Sequence, residues 1–86
     1  MYKIKIRNKV FKEIQKLPKK DRQAIIEVID SLQKNPRPHG ASKMTNSPYW
    51  RLRVRKYRVI YDINDDKLVI IIIRAAHRKD VYDNLD

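Results

Sequence analysis

The chain has 86 residues, which allows one small domain with a modest hydrophobic core and no second domain. Its 21 Lys and Arg outnumber its 10 Asp and Glu, and the resulting net charge of +11 makes nucleic acid the leading expected partner. The absence of Cys excludes disulfides and thiolate zinc sites, and the two His residues lie far apart with no carboxylate cluster near either, which argues against a metal centre.

The first strand and the first helix are indicated by two different periodicities. Residues 2 to 7 alternate apolar and cationic side chains, which predicts a strand whose inward residues are Tyr2, Ile4 and Ile6. Asn8 is a candidate N-cap for the helix that follows, and Pro18 ends that helix. Helical spacing predicts an inward stripe made of Val10, Phe11, Ile14 and Leu17.

A second helix and a long loop come next. Asp21 is a candidate cap, and helical spacing predicts an inward stripe made of Ile25, Val28, Ile29 and Leu32. The segment from Asn35 to Pro48 is rich in Pro, Ser and Asn and contains the single Gly of the chain, so it is predicted to be an irregular loop. Its length is typical of a loop that is either functional or mobile.

The most basic stretch of the chain runs from Tyr49 to Arg58 and contains no acidic residue. Its apolar residues alternate with arginines, which is the period of a half-buried strand whose cations all lie on the open face. A turn is expected at Arg55 and Lys56. Because no glycine is present there, a tight two-residue turn is not indicated, and a bulge or a longer connection is the alternative.

Two more strands complete the predicted sheet. Tyr57 to Ile63 forms one of them, and a polar turn leads into the uninterrupted apolar run from Leu68 to Ile73, which is typical of a central strand covered on both faces. This run is too short to cross a bilayer and no amino-terminal apolar run resembles a signal peptide, so we expect a cytoplasmic protein without a membrane partner. The residues from Ala75 to Asp86 are predicted to form a short strand or a helical turn.

The predicted architecture is an α+β domain with the order β-α-α-β-β-β, in which a helical hairpin packs on one face of a single, largely antiparallel sheet. By elimination, Arg51 and Arg53 project from the opposite, open face. Arg58 joins them only if the register of its strand allows it, and the sequence leaves that register open.

The first candidate site is the group Arg51, Arg53 and Arg58. Guanidinium groups can hold a phosphate bidentately and stabilise negative charge that develops on it. The alternative is a solvated strand face whose basicity serves solubility. The density of cations favours polyanion binding, and binding by itself does not imply catalysis.

The second candidate site lies near the carboxyl end. Arg78 and Tyr82 are four residues apart, so they share a face in either a helix or a strand. Nearby cations stabilise a phenolate, which suits proton transfer, whereas the alternative is a packed tyrosine and a solvated arginine. His77 is a third candidate, as a base or as a residue with a structural hydrogen bond.

Three aromatic residues accompany the basic strand and could stack on bases: Tyr49, Trp50 and Tyr57. Trp50 falls on the inward face and is expected in the core. The sequence contains no Gly-rich phosphate loop, no nucleophile elbow and no pair of acids suited to two-metal chemistry.

Four segments together resemble the RelE branch of the RelE/ParE toxin superfamily: Tyr49 to Val54, Tyr57 to Tyr61, Leu68 to Ile73 and His77 to Tyr82. The likeness covers nearly the whole chain, and the order of elements, the length and the basic charge agree with it. The resemblance implies a single RelE-like toxin domain over residues 1–86. It also implies the toxin of a type II toxin-antitoxin system.

The resemblance further implies a ribosome-dependent mRNA endonuclease that inhibits translation without a metal or cofactor. In this reaction a ribose 2′-hydroxyl attacks the adjacent phosphate, which leaves a 2′,3′-cyclic phosphate and a 5′-hydroxyl. The implied partners are the ribosome, mRNA and a cognate acidic antitoxin.

The resemblance assigns catalytic roles to Arg51, Arg53, Arg58, Arg78 and Tyr82. The first two match basic residues of the first catalytic strand, the third matches a phosphate-binding arginine, and the last two match a tail arginine and tyrosine. Some members have lysine at the first two positions. Because arginine does not give up its proton, the base would be Tyr82 or His77.

Two other functions stay open. A ParE-like toxin would share the fold and bind DNA gyrase, although ParE-like chains generally lack the tail tyrosine and the paired strand cations found here. A basic nucleic-acid binding module would hold phosphates on its sheet without cleaving anything.

Overall fold

The computed structural model describes residues 1–77, so the candidate residues Arg78 and Tyr82 lie outside the described part. Within it the elements are β1 (Lys3–Ile6), α1 (Asn8–Gln15), α2 (Lys19–Ser31), β2 (Ser42–Lys43), β3 (Trp50–Val54), β4 (Tyr57–Asn64) and β5 (Val69–His77). The predicted α+β architecture is confirmed. The loop predicted from Asn35 to Pro48 is not wholly irregular, because it contains the two-residue strand β2.

The strands form one sheet in the order β1-β5-β4-β3-β2. β1 pairs with β5 in parallel and the other neighbours are antiparallel, so the sheet is largely antiparallel, as predicted. β5 lies between β1 and β4, which confirms the expected central strand. It starts at Val69 because Leu68 has a positive φ of 55° and is 45% exposed. At its other end it continues through Ala75 to His77.

Both helices pack on one face of the sheet and bury most of the apolar side chains there. This helical-face core consists of Val10, Ile14, Ile25, Ile29, Leu32, Leu52, Val54, Tyr57, Val59, Tyr61, Ile70, Ile72 and Ala75. Full burial of an aliphatic or aromatic side chain contributes about 1.5–3 kcal/mol, so this layer is the main source of stability. Neither helix is long and apolar enough to span a membrane.

A smaller apolar cluster covers part of the opposite face. This open-face cluster consists of the buried residues Met44, Ile60 and Ala76, with the partly buried Tyr49 and Ile73 packed against them. Met44 and Tyr49 come from the loop and from the residue just before β3. β5 is therefore covered on both faces, as its uninterrupted apolar sequence predicted.

The predicted helix starts are wrong at both helices. Asn8 is the first residue of α1 and not its N-cap, because the N-cap position is occupied by Arg7. The Arg7 side chain makes no capping hydrogen bond. α2 begins at Lys19 with Pro18 at its N-cap, which places Asp21 in the first turn. An acidic residue in the first turn interacts favourably with the positive end of the helix dipole. The Asp21 carboxylate also accepts hydrogen bonds from Arg55, in the turn between β3 and β4, and from Tyr57, at the start of β4.

The predicted inward stripe is confirmed for α2 and only partly for α1. In α1, Val10 and Ile14 are buried, but Phe11 is 54% exposed. The helix is two turns long and presents one line of residues, four apart, to the sheet, and Phe11 lies off that line. Ile6, predicted to point inward, is 39% exposed because it ends an edge strand.

Candidate functional site

The cations of β3 lie on the open face of the sheet, as predicted. Leu52 and Val54 are buried in the helical-face core, so the alternation of a strand turns Arg51 and Arg53 to the other side. Arg51 is half-buried and Arg53 is exposed. Two guanidinium groups therefore stand in one row on a rigid strand.

A two-residue turn, Arg55 and Lys56, joins β3 to β4, because Val54 pairs directly with Tyr57. This turn forms without a glycine, and Arg55 takes the left-handed conformation with φ 56°. Such a conformation costs a non-glycine residue about 1–2 kcal/mol. The Arg55 guanidinium binds the Asp21 carboxylate at 3.1 Å, which ties the turn to α2.

The tight turn fixes the register that the sequence left open. Arg53 pairs with Arg58, and Arg51 pairs with Ile60. Directly opposed residues of an antiparallel pair share a face with their Cβ atoms about 4.5–5.5 Å apart, so Arg58 lies on the open face beside Arg53. Arg58 is 3% exposed and is the one charged residue among residues 1–77 that is buried.

The three arginines line a cavity of about 340 Å³ on the open face. The other described residues of its lining are Gly40, from the loop that leads into β2, and Ser42, the first residue of β2. Ser42 pairs with Arg51 in the β2–β3 ladder, which sets the loop backbone against the arginine row. The volume is that of a small-ligand pocket, with room for more than one phosphate group.

The sequence did not indicate that Gly40 and Ser42 belong to this site. Gly40 has a positive φ of 98°, which a residue with a Cβ rarely adopts. The single glycine of the chain, placed within a Pro-rich loop, was the available signal that the backbone takes a special conformation there.

Three contacts hold the beginning of this loop. The buried Tyr61 hydroxyl donates a hydrogen bond of 2.8 Å to the Pro36 carbonyl, and burial raises the pKa of Tyr61 to about 12. The Arg37 guanidinium lies 5.2 Å from the Trp50 ring centroid and binds the Asp65 carboxylate, which lowers the pKa of Asp65. These contacts fix the position of the loop at Pro36 and Arg37, before it reaches the cavity at Gly40.

His77 is on the other side of the sheet from the cavity. It pairs with Tyr57, a residue of the helical-face core, and the two rings meet edge to face with centroids 6.0 Å apart. Burial, together with a hydrogen bond to Asp21, raises the pKa of Tyr57. The register thus brings Arg51, Arg53 and Arg58 together and leaves His77 apart from them.

The chain is similar in sequence to toxins of toxin-antitoxin systems. The family model described as the ParE toxin of the type II toxin-antitoxin system, parDE, matches residues 4–82. The Methanocaldococcus jannaschii protein named "Putative toxin RelE1" is 28% identical over 87 residues, which cover 96% of this chain and 97% of that protein.

Solved structures of toxin-antitoxin complexes contain the same fold. The archaeal RelE-RelB complex from Pyrococcus horikoshii OT3 matches with a TM-score of 0.77 and 32% identity, over 90% of this chain and 94% of the matching chain. The RelB-RelE antitoxin-toxin complex from Methanococcus jannaschii matches with a TM-score of 0.75 and 26% identity, over 95% of this chain and 99% of the matching one. The chain therefore belongs to the RelE/ParE superfamily of type II toxin-antitoxin toxins and is RelE-like within it.

Proposed function

We propose that this toxin is a ribosome-dependent mRNA endonuclease that inhibits translation. The observation that carries the proposal is the convergence of Arg51, Arg53 and Arg58 on one cavity, with Arg53 and Arg58 directly opposite each other. A pentacovalent phosphate carries more negative charge than the phosphodiester from which it forms. Fixed cations around it therefore stabilise the transition state more than the ground state.

The proposed reaction uses the RNA itself as the nucleophile. The ribose 2′-oxygen bonds to the adjacent phosphorus, the bond to the 5′-oxygen breaks, and the products are a 2′,3′-cyclic phosphate and a 5′-hydroxyl. One proton leaves the 2′-hydroxyl and one reaches the departing 5′-oxygen. Since both transfers are acid-base steps, the chemistry calls for a proton acceptor and a proton donor besides the arginines.

The proton-transfer half of the site is assigned to Tyr82, with Arg78 as a fourth cation. Both residues lie beyond the described part of the chain, so this assignment depends on their positions in the sequence. The arginines keep their protons and are poor bases. His77 lies on the helical face, which favours Tyr82 over His77 as the base.

The proposed partners follow from the charge and from the relatives. The solved relatives are toxins in complex with the antitoxin RelB. We extend this to a cognate acidic antitoxin that neutralises part of the +11 charge of this chain. The ribosome and mRNA, as polyanions in the cytoplasm, are the proposed targets.

The test is cleavage of mRNA on programmed ribosomes, mapped by primer extension. Arg53→Ala is expected to lower the cleavage rate by about 10²–10³, the usual effect of losing one group that stabilises transition-state charge. Tyr82→Phe is expected to lower it by about 10²–10⁴, the usual contribution of one proton-transfer group. Arg53 is exposed, so its replacement should leave the fold intact. Lys20→Ala on α2 removes one exposed charge on the helical side and serves as the control.

Two chemical readouts make this test specific. A message with a 2′-deoxy sugar before the cleaved bond should resist cutting, and the normal product should end in a cyclic phosphate. Undiminished cutting by both Arg53→Ala and Tyr82→Phe would rule out the catalytic roles assigned to Arg53 and Tyr82. Undiminished cutting of the 2′-deoxy message by the wild type would rule out the proposed reaction.

The description of the matching family model as a ParE toxin favours one second candidate, inhibition of DNA gyrase. In that case the basic sheet would act as a binding surface and not as a catalyst. A supercoiling assay separates the two candidates. Loss of gyrase activity with no cut in translated mRNA would replace the endonuclease proposal.

A further inference from the structure

The three aromatic residues near the arginine row do not all lie on the same face of the sheet. Trp50 and Tyr57 belong to the helical side, where Tyr57 is buried in the core and Trp50 packs against it. Tyr49 packs in the open-face cluster instead. It therefore continues the row formed by Arg51 and Arg53, since side chains two residues apart along a strand share a face.

The position of Tyr49 is fixed on both sides of its backbone. Its N–H donates to the Ser47 hydroxyl at 3.1 Å, and its carbonyl accepts a hydrogen bond of 2.9 Å from the Met44 N–H. The side chain packs on the open-face cluster, yet it is only half-buried. A ring held in this way needs little further ordering to bind a flat partner, because its place is already set.

The open face changes its electrostatic character along the strands. Arg53 and Arg58 stand at the end next to the β3–β4 turn. Toward the other end of β4, Asp62 lies two residues beyond Ile60 and therefore on the open face. Because Trp50 pairs with Tyr61, Asp62 is the residue of β4 next to Tyr49, whereas the open-face cations Lys3 and Lys5 lie on β1, beyond β5. A carboxylate beside Tyr49 favours the uncharged base of a nucleotide over a second phosphate at this position.

We infer that Tyr49 is a base-stacking subsite for single-stranded RNA, occupied by the base next to the phosphate that the three arginines hold. Every base has a π-face, so a stacking platform of this kind accepts many sequences. The arginines fix the backbone and Tyr49 fixes the neighbouring base. This inference rests on the proposed function, since it names a second part of the same RNA site.

The first test measures binding without ribosomes. The probe is a short, fluorescently labelled 2′-O-methyl RNA, which cannot be cleaved, compared with a matched RNA that lacks one base. Removing the base should weaken binding to the wild type and to Tyr49→Phe by about 5- to 150-fold, the usual contribution of one stacked base. Tyr49→Leu keeps an apolar side chain over Met44 and Ile60 but has no ring, so it should be insensitive to the missing base.

Each alternative outcome of this test overturns the subsite. An equal loss in all three proteins would show that the base is held elsewhere, and no loss in the wild type would show that no base is held. Failure of the wild type to bind either RNA would also overturn the subsite. Circular dichroism of Tyr49→Leu confirms that the variant is folded.

The second test repeats the comparison on programmed ribosomes and separates the two proposals. Slower cutting by Tyr49→Leu at limiting message, with Tyr49→Phe equal to the wild type, supports the subsite. If the wild type cuts RNA and all three proteins cut it equally, the subsite is overturned while the endonuclease stands. If the wild type never cuts but its binding depends on the base, the endonuclease fails and the subsite stands.

Discussion

The hydrogen bond between Tyr61 and Pro36 joins the sheet to the loop that forms one wall of the cavity. Tyr61 is fully buried, and its hydroxyl donates to the Pro36 carbonyl at 2.8 Å. Tyr61→Phe keeps the ring and leaves that carbonyl without its partner. A buried polar group left unsatisfied costs about 1–3 kcal/mol, so we expect the free energy of unfolding at pH 7 to fall by this amount.

The pH dependence of the unfolding free energy gives a second expected value for the contribution of the Tyr61 hydroxyl. Burial raises the pKa of Tyr61 to about 12, whereas an unfolded tyrosine titrates near 10. The folded state thus holds the phenolic proton more tightly. The stabilisation is complete below about pH 10 and is lost as the pH rises from about 10 to 12, by roughly 2.7 kcal/mol in total. About half of this, roughly 1.4 kcal/mol, is lost near pH 11.

Urea denaturation followed by circular dichroism at pH 7 and near pH 11 measures both effects. All other titrating groups are common to the two proteins, so the difference in unfolding free energy between wild type and Tyr61→Phe isolates this hydroxyl. That difference should shrink by roughly 1.4 kcal/mol near pH 11. A difference that is the same at both pH values would refute the reasoning.

Three further experiments test other parts of the structure. Ile14→Ala should lower the free energy of unfolding by about 2–5 kcal/mol and Phe11→Ala by less than about 1, because the first side chain is buried and the second is exposed; equal losses in urea would contradict the observed face of α1. Asp21→Asn should lower the pKa of Tyr57 toward its usual value, because it removes the charge that disfavours the phenolate. An absorbance titration, with Tyr57→Phe to identify the relevant step, checks this. Gly40→Ala should destabilise by about 1–3 kcal/mol because its φ of 98° suits glycine alone, and an unchanged urea midpoint would argue against that conformation.

Much of the fold follows from periodicity in the sequence. The strict alternation from Trp50 to Val54 was enough to assign Arg51 and Arg53 to the open face, because a one-residue error would bury two charges. The stripe of α2 was equally clear. Periodicity overstated burial at Phe11, since it does not reveal how little of a two-turn helix meets the sheet.

The position of Arg58 could not be predicted in the same way. It depends on the number of residues in the β3–β4 turn, and the absence of glycine argued against the tight turn that the structure adopts. The strain of Arg55 is offset by contacts from Asp21 on α2, a residue 34 positions away in the sequence. Such a tertiary contact outweighs the local turn preference, and no local signal reports it.

The pairing of two arginines on the open face bears on binding more than on folding. Arg53 and Arg58 stand directly opposite each other, and like charges in such a pair repel. The stability of these strands comes from their other face, where Leu52, Val54 and Val59 are buried in the helical-face core. A polyanion on the open face is attracted by both guanidinium groups at once, so the opposed cations strengthen binding to an RNA phosphate or to an acidic partner.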